Sequence, residues 1–105
     1  GSSELFEGTV EIDRLTAAEG VPGTAAVTFH DGARTHWHSH SGGQILYVLE
    51  GEGRVGTADG VTEVQPGDVV AAPPGERHWH GAAEGRDMTH LTISIGDAIW
   101  FEAVE

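Results

Sequence analysis

Apolar residues in this chain show no helical period. They alternate, or run for four to eight positions, and turn-forming residues close each run. A chain patterned this way folds through short β-strands, because only an extended backbone repeats its side-chain direction every second residue. The breaks are well marked. Ala58-Asp59-Gly60 reads as a tight hairpin, and Gln65-Pro66-Gly67-Asp68 and Pro73-Pro74-Gly75-Glu76 read as turns, since Gly supplies positive φ and Pro presets the bend. Ten strands are expected, at 9–13, 24–29, 34–40, 44–50, 53–58, 61–64, 69–72, 78–81, 88–95 and 98–104. So many short strands in 105 residues imply an all-β sandwich or barrel. The 16 glycines, scattered among apolar runs, fit frequent tight turns and not a linker. The strand at 44–50 is apolar on both faces, so one face is expected to line a barrel and the other to meet a second sheet or a partner chain.

Charge narrows the partners. With 17 acidic and 5 basic residues the formal charge is −12, a field that repels nucleic acid and anionic membranes, whose binding depends on Lys and Arg. A small molecule is the expected partner, and a bound cation would reverse the field locally. The absence of cysteine excludes disulfides, thiolate nucleophiles and Cys-based metal sites. No signal peptide opens the chain and no apolar run approaches the ~20 residues that span a bilayer, so a cytoplasmic location is expected. Gly1-Ser2-Ser3 reads as a cloning remnant and 4–105 as one domain.

The chemistry is concentrated in histidine. In THWHSHSGGQ, His36, His38 and His40 stand at alternate positions, so His38 and His40 share a strand face, with His36 beside them if the strand stays regular. Ser41-Gly42-Gly43 then reverses the chain and lets Gln44 open the next strand alongside. His78 and His80 repeat the alternation in RHWH, and His90 lies within MTHLTISI. Imidazole is the commonest protein ligand for first-row divalent metals. Two same-face histidines, a third from a facing strand and an oxygen donor make four ligands and leave positions open. On this reading His38, His40 and His78 are metal ligands. His36, His80 and His90 are residues of the pocket or of the packing around it, and Trp37 and Trp79 face the other way as core or interface residues. His30 is read as closing a strand.

These residues resemble the cupin superfamily. Its first motif is glycine, five residues, His-x-His, three or four residues, glutamate, six residues, glycine; Gly32, His38-Ser39-His40, Gln44 and Gly51 fit it, with glutamine for glutamate. Its second motif is met by Gly67, Pro73-Pro74-Gly75 and His78, with Ala82 where asparagine is usual. The resemblance implies a single-domain double-stranded β-helix (jelly-roll) barrel with a divalent metal on His38, His40, Gln44 and His78. More narrowly, FEGTVEID, GARTHWHSH, GEGRV, PGDVV, PGERHWHGAA and MTHL are similar to small bacterial manganese-dependent cupin hydroxynitrile lyases. That similarity implies manganese, and catalytic places near the substrate for His80 and His90; His36 is a further catalytic candidate read from its own position in the histidine stripe. His36 departs from a position usually small there, and Ser94 stands where a pocket glutamine is expected.

Ligand type alone leaves manganese, iron, cobalt, nickel, copper and zinc open. A shell of three imidazoles and an amide cancels none of the metal's charge, which favours Lewis-acid polarisation of a hydroxyl or carbonyl oxygen. The expected activity is a lyase that makes or breaks a cyanohydrin, with Val27, Phe29, Leu46, Val48 and Ile93 as apolar lining. An Fe(II)-dependent dioxygenase and a non-enzymatic small-molecule or metal-binding module are the alternatives. A homodimer or higher homo-oligomer is expected from the two-faced strand at 44–50.

Overall fold

A computed structural model describes residues 5–105, so Gly1-Ser2-Ser3, read above as a cloning remnant, lies outside the described residues. The elements are ten strands: β1 (Phe6–Thr16), β2 (Gly23–Thr35), β3 (His38–His40), β4 (Gln44–Gly51), β5 (Gly53–Thr57), β6 (Gly60–Val64), β7 (Val69–Ala72), β8 (Trp79–Ala82), β9 (Met88–Ser94) and β10 (Ala98–Trp100). Eight form one curled antiparallel sheet in the order β6-β5-β8-β2-β9-β4-β7, with β1 on the remaining edge of β2; β3 and β10 form a separate two-stranded sheet. The all-β, single-domain barrel architecture is that expected from the sequence.

Register fixes which residues face inward. On β9, Val27 of β2 and Val48 of β4 flank His90, and Ala25 and Leu46 flank Thr92. Opposed residues of antiparallel strands share a face. Phe29, Val27, Leu46, Val48 and Met88 therefore converge in one core, joined by Val55, Val64 and Ala82. Burying a side chain such as Phe29 or Val48 contributes about 1.5–3 kcal/mol.

Two departures from expectation bear on the site. The break expected between strands at 30–33 is instead a bulge inside β2, where Asp31 (φ 48°) and Gly32 (φ 75°) adopt left-handed backbone. Asp87 Oδ1 accepts the Asp31 N–H at 2.8 Å and holds that turn. β1 pairs across the bulge through Gly8, where a Cβ would lie 2.8 Å from that of Ala33. His30 consequently lies within β2 rather than closing a strand. In addition, the run expected at 34–40 is broken: β2 ends at Thr35 and β3 begins only at His38. His36 and Trp37 form the corner between them.

Trp79 is buried on the outer side of β8, between the guanidinium groups of Arg34 and Arg54 at 5.6 and 5.4 Å from its ring. Gly56 makes room for it, since a Cβ there would lie within 1.9 Å of the indole. Trp37 is half-buried against Arg77.

Candidate metal centre

Three elements meet at one end of the barrel. β3 carries His38 and His40, Gln44 opens β4, and His78 precedes β8, where its backbone exchanges both hydrogen bonds with His38 at 2.8 Å. Gly42 and Gly43 allow the reversal between β3 and β4: a Cβ on Gly42 would lie 2.5 Å from the Ile95 side chain, and Gly43 has φ 94°. The imidazole nitrogens of His38, His40 and His78 lie within 4.8 Å of one another, and all three residues are buried.

The hydrogen bonds of these rings leave a consistent set of lone pairs. His38 Nδ1 donates to the His36 carbonyl at 3.0 Å, and His78 Nδ1 donates to the Glu76 carbonyl at 3.1 Å. In a neutral ring the opposite Nε2 is then a bare acceptor. His40 Nε2 is buried with no partner. Gln44 Nε2 donates to Ser94 Oγ at 3.0 Å, which turns Oε1 toward His78 Nε2, 2.9 Å away. Two acceptors that close repel unless a cation lies with them. An unpartnered buried polar atom costs about 1–3 kcal/mol, so the fold meets this cost at several atoms at once. A divalent cation with three imidazole nitrogens and one amide oxygen fits the donor set.

Burial keeps the rings neutral. It is the largest cause for each: His38 is held down at about 3, against the lift from the His36 carbonyl, and His40 at about 4. His78 is also lowered by burial.

His80 and His90 form a second pair beside the triad. His90 Nε2 and His80 Nδ1 share a hydrogen bond of 2.9 Å, while His80 Nε2 and His90 Nδ1 have no partner. The His80 ring stacks on His78 at 5.7 Å, and Phe29 packs on His80 and His90 at 5.9 and 5.2 Å. Burial pushes His80 well below its ordinary value, with the neighbouring histidines adding to it, and holds His90 at about 4.

A cavity of about 330 Å³ opens onto these groups. Its lining includes His38, His40, Gln44 and His80, with Ala25, Val27, Phe29, Thr35, Thr92, Ser94 and Trp100. Of the apolar residues expected there, Val27 and Phe29 line it, whereas Leu46 and Val48 lie in the core. Ile93 does not line it: with His90 and Thr92 inward, the strand period turns Ile93 to the opposite face, beside Ile45 of β4. His36 sits at the β2–β3 corner, half-buried, and is not among the lining residues. Its contribution to the site is the backbone carbonyl that orients His38. Sequence reasoning passed over Trp100, whose ring lies 4.5 Å from that of His38 at 31° and meets Phe6 edge-on at 6.0 Å. The alternation of Ala98 and Trp100, both lining the cavity, was the available signal.

A curled sheet with a histidine triad at its open end defines a cupin, and the chain belongs to that family: the cupin domain family matches residues 25–95. The chain is 48% identical over 111 residues to an (R)-mandelonitrile lyase of Granulicella tundricola, covering 99% of this chain and 85% of that protein. A cupin-like protein of Thermotoga maritima has a solved structure that superposes with a TM-score of 0.94 at 41% identity, over 100% of this chain and 85% of that one. A second Thermotoga maritima structure, described as a predicted oxalate decarboxylase, matches at 25% identity with a TM-score of 0.77, over 91% of this chain and 84% of that one. Relatives described by different activities share the barrel, so the fold alone does not set the reaction.

Proposed function

We propose that the protein is a metal-dependent lyase that cleaves or forms cyanohydrins. The observation that carries this reading is the buried His80–His90 pair set beside the ligand triad, and the likeness to a mandelonitrile lyase supports it. A divalent cation, manganese on our reading, held by His38, His40, His78 and Gln44 would supply Lewis acidity at a hydroxyl or carbonyl oxygen.

The remaining steps belong to the protein. Neutral His80 accepts the cyanohydrin hydroxyl proton at Nε2 while its Nδ1 proton is shared with His90. The C–C bond breaks with its electron pair leaving on cyanide, and the oxygen becomes the aldehyde carbonyl. The imidazolium returns the proton to cyanide, giving hydrogen cyanide. Burial makes that imidazolium costly, and the cyanide anion formed beside it offsets the cost. Val27 and Phe29 hold the alkyl or aryl group and exclude water.

The enzyme is further read as cytoplasmic and as a homo-oligomer joined through the outer face of β4, where Ile45, Tyr47 and Leu49 are exposed. The test of the reaction is mandelonitrile cleavage by protein loaded with manganese under anaerobic conditions. Benzaldehyde and cyanide in equal amounts support the lyase. Activity that needs Fe(II) and consumes oxygen, or ligand binding without turnover, overturns it.

A further inference from the structure

The proposed reaction leaves Arg14 unused. β1 pairs with β2 so that Val10, Ile12 and Arg14 stand opposite Phe29, Val27 and Ala25. Opposed residues share a face, and those three β2 residues line the cavity. β1 therefore prolongs the cavity wall outward, first with Ile12 and then with a guanidinium, and both residues are part of the lining.

Four of the five basic residues, all arginines, are already engaged. Arg34 donates to the Val104 carbonyl and pairs with Glu7; Arg54 donates to the carbonyls of Ala82 and Gly32. Arg77 pairs with Glu102 and Arg86 with Glu52. Among the described residues Arg14 has no such partner. The distribution of acids points the same way. The chain has 17 of them, yet among the described residues none lines the cavity, and Arg14 is its one charged lining residue. The ligand set is neutral, so a bound divalent cation would leave the cavity still more positive. A molecule of net charge −12 thus presents a cationic cavity.

We propose that the cavity takes a substrate with a carboxylate at the end remote from its hydroxyl or carbonyl, and that Arg14 binds that carboxylate. The proposal rests on the reading above that this cavity is the substrate site. The guanidinium fork matches a carboxylate in two parallel hydrogen bonds, and at the exposed mouth it selects by charge while the apolar wall holds the body of the ligand.

The test titrates 3- and 4-formylbenzoate and their methyl esters into the metal-loaded wild type, Arg14→Gln and Arg14→Lys, with metal content and thermal midpoint checked for each. For at least one isomer the acid is expected to bind the wild type roughly 10-fold more tightly than its ester. The preference disappears in Arg14→Gln, is partly restored in Arg14→Lys, and shrinks at high salt. Equal affinity for acid and ester with both isomers overturns the proposal. So does a preference that survives Arg14→Gln, which would place the carboxylate on the metal. Turnover is read separately on the corresponding cyanohydrins. An Arg14-dependent preference without cyanohydrin cleavage sinks the lyase reading and keeps this one, and cleavage without that preference does the reverse.

Discussion

His90 Nε2 lies 2.9 Å from His80 Nδ1, and both rings are buried. The contact fixes the tautomer of one ring by that of the other, so the state of His80, which lines the cavity, is set by His90, which does not. Removing either partner is expected to lower cyanohydrin cleavage by about 10²–10⁴-fold, the range for a positioned acid–base group. His80→Ala and His90→Ala should both keep their bound metal, because neither is in the ligand triad. Turnover measured beside metal content checks this; full turnover in both variants would end the assigned role.

Gln44 and Ser94 are linked in the same manner. Ser94 Oγ receives the Gln44 amide N–H at 3.0 Å and so aims Oε1 at the triad. Ser94→Ala is expected to weaken metal affinity by about 10–100-fold, as loss of a group orienting a ligand does. Gln44→Glu should act oppositely on affinity, since a carboxylate attracts a hard cation, and should lower turnover by reducing Lewis acidity. Competitive chelator titration reads affinity, and the cleavage assay reads turnover. Tighter metal binding with undiminished turnover in Gln44→Glu would show that the amide is not chosen for acidity.

What could be read from the sequence follows from what a period of two contains. It identifies strands and the two residue sets of each, and the marked turns at Asp59-Gly60 and Pro74-Gly75 close strands where expected. It does not say which set faces the barrel unless one member is already placed. On β9 the anchor is His90: with His90 inward, Thr92 follows and Ile93, expected from the sequence to line the cavity, faces the other way. Nor does a glycine say whether positive φ reverses a chain or bulges it. Asp31-Gly32 does the latter because β1 pairs with β2 on both sides of it. The arrangement of His38, Gln44 and His78 depends on sequence separations that no local pattern encodes. Family spacing brought those residues together on paper, whereas Trp100 and Arg14 lie outside the motifs and emerge only from packing.

On the outer wall, His30 joins β1 to the turn before β9. Its Nε2 lies 2.7 Å from Glu11 Oε2 and its Nδ1 3.5 Å from Asp87 Oδ2. The Glu11 hydrogen bond, with help from Asp87, raises His30 above its ordinary value, while the Asp31 N–H and His30 lower Asp87. A raised histidine stabilises the fold fully below its unfolded value and loses that contribution as pH rises through its folded value. A lowered aspartate contributes above its unfolded value and loses the contribution as pH falls. The thermal midpoint of wild type should therefore exceed that of His30→Gln most below the ordinary histidine value, and the gap should close as pH rises through the raised value of His30. It should also narrow in high salt. A gap independent of pH would mean that His30 acts by packing alone.

The exposed outer face of β4 carries Ile45, Tyr47 and Leu49, and Val69 of β7 stands opposite Tyr47. If this face joins two copies, Tyr47→Glu places two charges in one apolar contact and should convert the oligomer to a monomer while leaving the inward residues Leu46 and Val48 in the core. Light scattering across a dilution series measures this. A wild type that is monomeric at every concentration removes the interface.

Chelation exposes the cost of burying five neutral histidines in one wall. His38 and His90 are held at about 3 and 4, and His80 is pushed well below its ordinary value, all chiefly by burial. In the unfolded chain the same rings take protons near pH 6.5. Below that pH the unfolded state binds more protons than the folded one, so stability rises with pH and falls on acidification. For each ring that stays neutral, the slope is about 1.4 kcal/mol per pH unit until its folded value is reached. Urea unfolding of chelated protein at pH 7, 6 and 5 should show this slope, and His90→Leu should remove one ring's share. Restoring metal at about 100 times its dissociation constant should add about 2.7 kcal/mol at neutral pH. A chelated protein equally stable at all three pH values would mean that the rings are protonated in the fold, and the set of bare nitrogens assigned to the metal would then be wrong.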